Sequence, residues 1–341
     1  MLVGITYDLR EDYLEEGYSE EETAEFDRGD TIDGIEEALI NSGFTTDRIG
    51  NARQLVNRLS HGDRWDIIFN IAEGMHGIGR EALVPALLDA YQIPYTFSDP
   101  LVLALTLHKG MTKQIIRDLG LKTPDFTLVE SIADVDKIDL PFPLFAKPVA
   151  EGTGKGINHL SKVETRQDLY TICSRLLNDF LQPVLVETYL PGREFTAGIV
   201  GTRDDAHCIG VMEVIYKEHR GSDPIYSYHN KAHYEELIAY RIPEDAVMES
   251  CAALALTAWK GLGCRDAGRI DIRMDAAAIP NFIEVNPLAG LNPVHSDLPI
   301  ICSLVGISFQ QLIEKIMDST LKRTGLRSEY HGSIKNHRHH P

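Results

Sequence analysis

The chain has 341 residues, 43% hydrophobic and 25% charged, enough for two or three domains each with its own core, and its composition is that of an ordinary globular protein. A formal net charge of −18 with no basic cluster argues against a nucleic-acid partner, though not against phosphates, which need only local lysines and backbone amides. Cys173, Cys208, Cys251, Cys264 and Cys302 lack disulfide or zinc spacing, and the N-terminus shows neither a signal peptide nor a membrane span, so a cytoplasmic protein with reduced thiols and no membrane partner is expected.

The first hundred residues alternate strand and helix signals, the pattern of a doubly wound α/β domain. A strand over Leu2–Thr6 is followed by a helix over 30–41, with Ile32, Ile35 and Leu39 on one face. Between them, residues 11–33 hold eleven acids and one base, which reads as a solvated loop or lid from which one carboxylate could reach a bound amine. A strand over 66–70 runs into the glycine-rich turn 73–79, then a helix over 81–90 and a short strand over 93–96. A helix over 101–121 places Lys109 and Lys113 one turn apart. Strands over 144–147, 184–187 and 194–200, a helix over 246–262 and a last helix over 309–321 complete the pattern, with a polar, disordered tail expected after it.

Four segments carry chemistry. Lys147 ends an apolar strand, where a lysine is costly unless it meets an anion, and Gly152-Thr153-Gly154 follows in a loop whose backbone N–H groups can close over phosphates; a plain glycine-rich turn looks similar. Glu187 and Glu194 bracket a Pro191-Gly192 turn read as a hairpin connector, which can present backbone to an adenine edge or be merely surface acids. Lys231 lies in a polar loop. In the distal hairpin, Arg269, Asp271 and Arg273 alternate with Ile270, Ile272 and Met274, while Glu284 and Asn286 alternate with Ile283 and Val285 on the buried side. A turn over 276–280 sets Asp271 opposite Glu284, and like charges ~4 Å apart cost ~4 kcal/mol at an effective dielectric of about 20. A divalent cation between them removes that cost; the alternative is a solvated strand face.

Taken together, these segments resemble the ATP-grasp superfamily and, within it, the D-alanine–D-alanine ligase family, from Asp66 to about Ile316. The resemblance implies an α/β fold with an N-terminal Rossmann-like domain (1–100), a two-lobed ATP-grasp unit with antiparallel sheets (101–190 and 191–322) and a tail (323–341). It implies ATP and two Mg²⁺ ions, with Mn²⁺ as a substitute, small amino-acid-like substrates and a homodimer. By position, Lys109 and Lys147 match phosphate-contacting lysines, with Gly152, Thr153 and Gly154 as the phosphate loop. Glu187 and Leu190 match the adenine-reading connector, Glu194 the ribose ligand, and Lys231 the mobile-loop lysine. Asp271, Glu284 and Asn286 match the metal ligands, and Arg269 with the Gly290 N–H the groups that stabilise the acyl-transfer intermediate.

The departures gather where substrates bind. Ala232 stands where the family has an aromatic residue. The N-terminal glycine pair and acid are missing, leaving Glu22 or Glu25 to face the first amino group. The segment 73–81 replaces the family's HGxxGEDG turn and brings His76 and Arg80 into consideration, and His295 or Ser296 takes the place of a substrate-side serine. The expected activity is therefore an ATP-dependent carboxylate–amine ligase with altered amino-acid specificity. An ester-forming ligase, or a nucleotide-binding protein without ligase chemistry, are the alternatives.

Overall fold

The computed structural model describes residues 1–217, 238–244 and 246–326. Strands β1 (Leu2–Thr6), β2 (Thr45–Gly50) and β3 (Ile67–Asn70) form a parallel sheet in the order β2-β1-β3. A parallel sheet is covered on both faces, which explains the unbroken apolar runs of β1 and β3. One face packs on Ile35 and Leu39 of the helix Gly29–Asn41 and on Leu312 and Ile316 of the last helix, Phe309–Thr324. The other packs on Leu55 and Leu59 of the helix Ala52–Ser60 and Leu88 of the helix Leu83–Ala90.

Several local expectations change. The edge strand β2 and the helix after it, capped reciprocally by Asn51 and Gln54, had no place in the sequence reading, because β2 is mostly polar and lacks clear alternation. The expected strand over 93–96 is a single parallel bridge, Ile68 to Tyr95, interrupted by Pro94, which has no N–H to give. The helix expected over 101–121 is two, Pro100–Leu107 and Lys109–Asp118, broken at His108, whose imidazole caps the second. The last helix reaches Thr324, so Arg323 belongs to it rather than to a tail.

Two antiparallel sheets follow. The smaller, in the order β4-β7-β5-β6, comprises β4 (Phe126–Val129), β5 (Leu144–Pro148), β6 (Lys162–Val163) and β7 (Val184–Thr188), and is backed by the helix Arg166–Phe180. The larger, in the order β10-β9-β8-β11-β12, comprises β8 (Glu194–Val200), β9 (His207–Tyr216), β10 (Ile238–Arg241), β11 (Ala267–Met274) and β12 (Pro280–Asn286). The helix Val247–Leu262 backs it through Ala258 and Trp259. Because β7 and β8 lie in different sheets, the Pro191-Gly192 segment is not a hairpin turn but a strap between them. A proline-glycine pair marks a bend without saying whether the flanking strands pair. The strap is pinned to β11 by Gly192 N to Met274 O (3.0 Å) and Met274 N to Arg193 O (2.9 Å); a Cβ on Gly192 would come 2.6 Å from the Met274 carbonyl oxygen.

The N-terminal sheet is tied to the larger antiparallel sheet through Asp266, which is fully buried. Its carboxylate accepts hydrogen bonds from Phe97 N (2.8 Å), Ser319 Oγ (2.8 Å), Thr320 Oγ1 (2.8 Å) and Arg323 Nη2 (2.7 Å). Removing that charge strands a guanidinium and several buried donors. Asp266→Asn is expected to lower the unfolding free energy by about 3 kcal/mol, read as a lower urea midpoint; an unchanged midpoint would show that the tie is dispensable.

Candidate functional site

The β11–β12 hairpin sets the site. Asp275 closes its loop by accepting from the backbone N–H groups of Ala277 and Ile279, both at 2.9 Å, and Asp271 pairs across from Glu284 as the sequence predicts. The pairing is reached through a bulge that skips Ile283. Phe282 and Val285 are therefore the buried residues, and Ile283, expected on the buried side, lines a cavity instead. Positive charge converges on the two carboxylates. Arg269 hydrogen-bonds Asp271 and lies 3.5 Å from Asp297, while Lys109 and Lys147 reach Glu284 at 3.5 and 3.8 Å. Asn286 stands beside Asp271, its amide 3.4 Å away. Two facing carboxylates and an amide oxygen are hard donors on rigid strands, a set that fits Mg²⁺ or Mn²⁺.

On one side of the hairpin a cavity opens between the two antiparallel sheets, lined by Phe145, Lys147, Glu187, Tyr189, Glu194 and Ile283. Leu190 and Gly154 also border it. Its floor is a buried charge cluster in which Glu187 sits 2.7 Å from Lys113 and 3.2 Å from Lys147. Burial alone would raise the Glu187 carboxyl, and the two ammonium groups outweigh it, holding it below the usual range. Burial pulls Lys113 down to about 8 despite Glu187, whereas Lys147, facing both Glu187 and Glu284, is raised. Lys113 had not been singled out as a site residue; its one-turn spacing from Lys109 was the available signal. Glu194 accepts from Tyr216 Oη at 2.7 Å and from Arg273 at 3.1 Å, and the cations of Lys162 and Arg273 lie 4.7 and 5.4 Å from the centre of the Tyr189 ring.

A second cavity adjoins the first across Glu284 and is bordered by Lys109, Gly152, Thr153, Arg269 and Gly290. Lys109 Nζ donates to Glu151 O at 2.6 Å, and the buried Thr153 hydroxyl has no hydrogen-bond partner among the described residues. The acidic segment is not simply a solvated loop. It opens with a short helix, Arg10–Glu15, and sends Glu25 inward to Arg80 (2.7 Å) and Lys155 (3.2 Å), where it also accepts the Gly152 N–H (2.6 Å). That N–H, expected to serve phosphates, is therefore already committed. Glu22 is exposed and turns back to Ser19 N at 2.9 Å, so it does not join the cavity. Arg80 lies behind the wall, donating to Ala150 O at 2.9 Å. His76 is exposed, 3.3 Å from the Tyr18 hydroxyl. Ser296 stands close to Gly290, where an added Cβ would come 2.8 Å from its Oγ, while His295 is exposed. Glu73 and Glu81, at the two ends of the segment 73–81, also line this cavity. Lys231 and Ala232 lie outside the described residues.

Comparison with known proteins places this geometry in context. A family model described as D-ala D-ala ligase C-terminus matches residues 115–318. The D-alanine–D-alanine ligase of Cupriavidus taiwanensis is 31% identical over 249 residues, covering 71% of this chain and 73% of that protein. That of Bordetella petrii is 29% identical over 289 residues, covering 83% and 84%. Among solved structures, the D-alanine–D-alanine ligase from Bacillus anthracis complexed with ATP superposes with a TM-score of 0.69 at 21% identity, covering 97% of this chain and 99% of that one, a likeness of fold.

The Glu25 cluster has a measurable signature. Burial would raise its carboxyl, but Arg80, Lys155 and the Gly152 N–H together bring it down to about 2. A carboxylate depressed in the folded state stabilises the protein above its unfolded value and loses that contribution as pH falls towards the folded one. Stability should accordingly fall between pH 4.5 and about 2, and Glu25→Gln should flatten that part of the profile in urea titrations at successive pH values. Superimposable profiles would show that Glu25 is not held by these cations.

Proposed function

Since the chain belongs to the D-alanine–D-alanine ligase family, we propose that it is an ATP-dependent carboxylate–amine ligase that joins small amino-acid-like substrates through an acyl phosphate. The observation that carries this reading is the facing pair of Asp271 and Glu284 at the junction of two cavities, with Lys109, Lys147 and Arg269 converging on it. One cavity has a partly aromatic lining suited to a nucleotide base and sugar, and the other a charged lining suited to amino acids.

In this reading Glu187 and the strap around Leu190 face the adenine, and Glu194 accepts from ribose hydroxyls. Lys147 and Lys109 then meet the phosphates at the hairpin, displacing their present contacts with Glu284. Asp271, Glu284 and Asn286 would hold Mg²⁺, which supplies charge neutralisation at the phosphate oxygens when bound. The substrate carboxylate attacks the γ-phosphorus and ADP departs. The amine of the second substrate then attacks the acyl carbon, phosphate leaves, and the nitrogen loses a proton. Negative charge gathers on the acyl oxygen during that second step, and Arg269 and the Gly290 N–H would receive it, a role supported by the presence of both residues in the second cavity's lining. Arg269 is held for this role by Asp271 and Asp297, which keep its guanidinium charged and fixed.

Purified protein supplied with ATP, Mg²⁺ and amino acids is expected to release ADP and to yield a product whose mass is that of the two substrates less one water. Glu284→Gln should abolish ADP release with an unchanged circular dichroism spectrum, and Arg269→Met should lower kcat about 10²- to 10³-fold. Full turnover in both variants would overturn the assignment.

A further inference from the structure

Lys113 is fully buried, and the proposed reaction gives it no part. It sits on the helix Lys109–Asp118, one turn beyond Lys109. Its ammonium has two partners: it lies 2.7 Å from Glu187 Oε2 and donates to Thr123 Oγ1 at 2.8 Å. The charged groups that face it from other elements are Glu187 on β7, Lys147 on β5 and Glu284 on β12. A buried ion pair contributes little to stability that two apolar side chains of similar volume would not, because desolvation offsets the attraction. Packing alone therefore gives no reason for a lysine at this position.

The two partners supply the reason. Glu187 divides its carboxylate, one oxygen on Lys113 and the other 3.2 Å from Lys147. With half of that charge answered by Lys113, Lys147 is left able to turn to Glu284, 3.8 Å away, and to a phosphate in its place. The Thr123 hydroxyl passes the second contact on to Phe282 O at 2.8 Å, while Phe282 N donates to Lys122 O at 2.8 Å. Phe282 pairs with Ile272 on one side of the bulge, and Glu284 pairs with Asp271 on the other. The segment 122–123 thus grips β12 where its register shifts, and Lys113 grips Thr123 from behind.

We propose that Lys113 is a positioning residue for two sites at once: through Glu187 it keeps Lys147 available to the nucleotide, and through Thr123 it fixes the bulge that sets Glu284 opposite Asp271 for the metal. This rests on the ligase reading above and adds to it a residue that touches neither nucleotide nor metal.

The test is calorimetric binding of a non-hydrolysable ATP analogue to the full chain over a range of Mg²⁺ concentrations, with the urea midpoint of each variant measured alongside. Lys113→Met is expected to weaken the analogue at saturating Mg²⁺ and to raise the Mg²⁺ concentration for half-maximal binding, each by about 10- to 100-fold, the range for groups that orient a ligating residue. Thr123→Val cuts only the second arm, so it should raise the Mg²⁺ requirement and leave affinity at saturating Mg²⁺ as in the wild type. A lysine that only filled space would shift the urea midpoint and neither binding parameter. Wild-type binding by a folded Lys113→Met, or loss of affinity at saturating Mg²⁺ in Thr123→Val, would overturn the proposal. Should Lys113→Met fail to fold, Thr123→Val decides, and an unchanged Mg²⁺ requirement there overturns it. These shifts in binding, found in a protein whose wild type releases no ADP with any pair of amino acids, would overturn the ligase reading and leave the role of Lys113 standing.

Discussion

Two carboxylates facing each other on neighbouring strands repel, and the fold can hold Asp271 opposite Glu284 only by bringing positive charge to them from elsewhere in the chain. It does so from three directions. Arg269 comes from the same strand, Lys147 from the end of β5 in the other antiparallel sheet, and Lys109 from the first turn of a helix that begins where His108 breaks its predecessor. Each cation is in turn fixed by another acid or carbonyl, Lys147 by Glu187, Arg269 by Asp297 and Lys109 by Glu151 O. The result is a lattice of alternating charges at the meeting of the two sheets, dry enough for electrostatics to be strong and open enough to admit phosphates.

The hairpin is tied to the other elements at both ends. At its loop end the strap between β7 and β8 exchanges backbone hydrogen bonds with Met274. Along β12, Phe282 N donates to Lys122 O at 2.8 Å, and the Thr123 hydroxyl, itself bonded by Lys113, donates to Phe282 O at 2.8 Å. Lys113 thus links the nucleotide-side cluster to the backbone of the strand that carries Glu284. Such ties keep the acidic pair in register with cations that come from a different sheet, which is what a multi-part electrostatic site requires.

How much of this was legible in the sequence depends on how local each feature is. That Asp271 and Glu284 lie on the polar faces of neighbouring strands follows from a two-residue period and can be counted, whereas a regular ladder from Met274 opposite Pro280 would set Asp271 against Ile283. The bulge that sends Ile283 to the cavity cannot be counted, because an isoleucine beside Phe282 and Val285 looks like core whichever way it points. Pro191-Gly192 announced a bend correctly, but strand partners are chosen by sheets assembled from distant segments. β2 was missed because an edge strand reading Thr-Thr-Asp-Arg has no apolar stripe to display. The acids of the second cavity were hardest. Whether Glu22, Glu25, Glu73 or Glu81 points inward, and which finds a cation, is settled by Arg80 and Lys155 arriving from other parts of the fold.

The core of the N-terminal sheet is completed from the far end of the chain, where Leu312, Ile313 and Ile316 pack against Val3 and Ile5. During synthesis the first strands therefore leave the ribosome long before the surface that covers one of their faces exists. The smaller antiparallel sheet and the helix Arg166–Phe180 close their own core from residues 129–186 alone and can be finished on the way. The sheet that the chain makes first is thus among the last to be sealed, and any nascent chain cut short before the helix Phe309–Thr324 leaves an apolar sheet face open to aggregation.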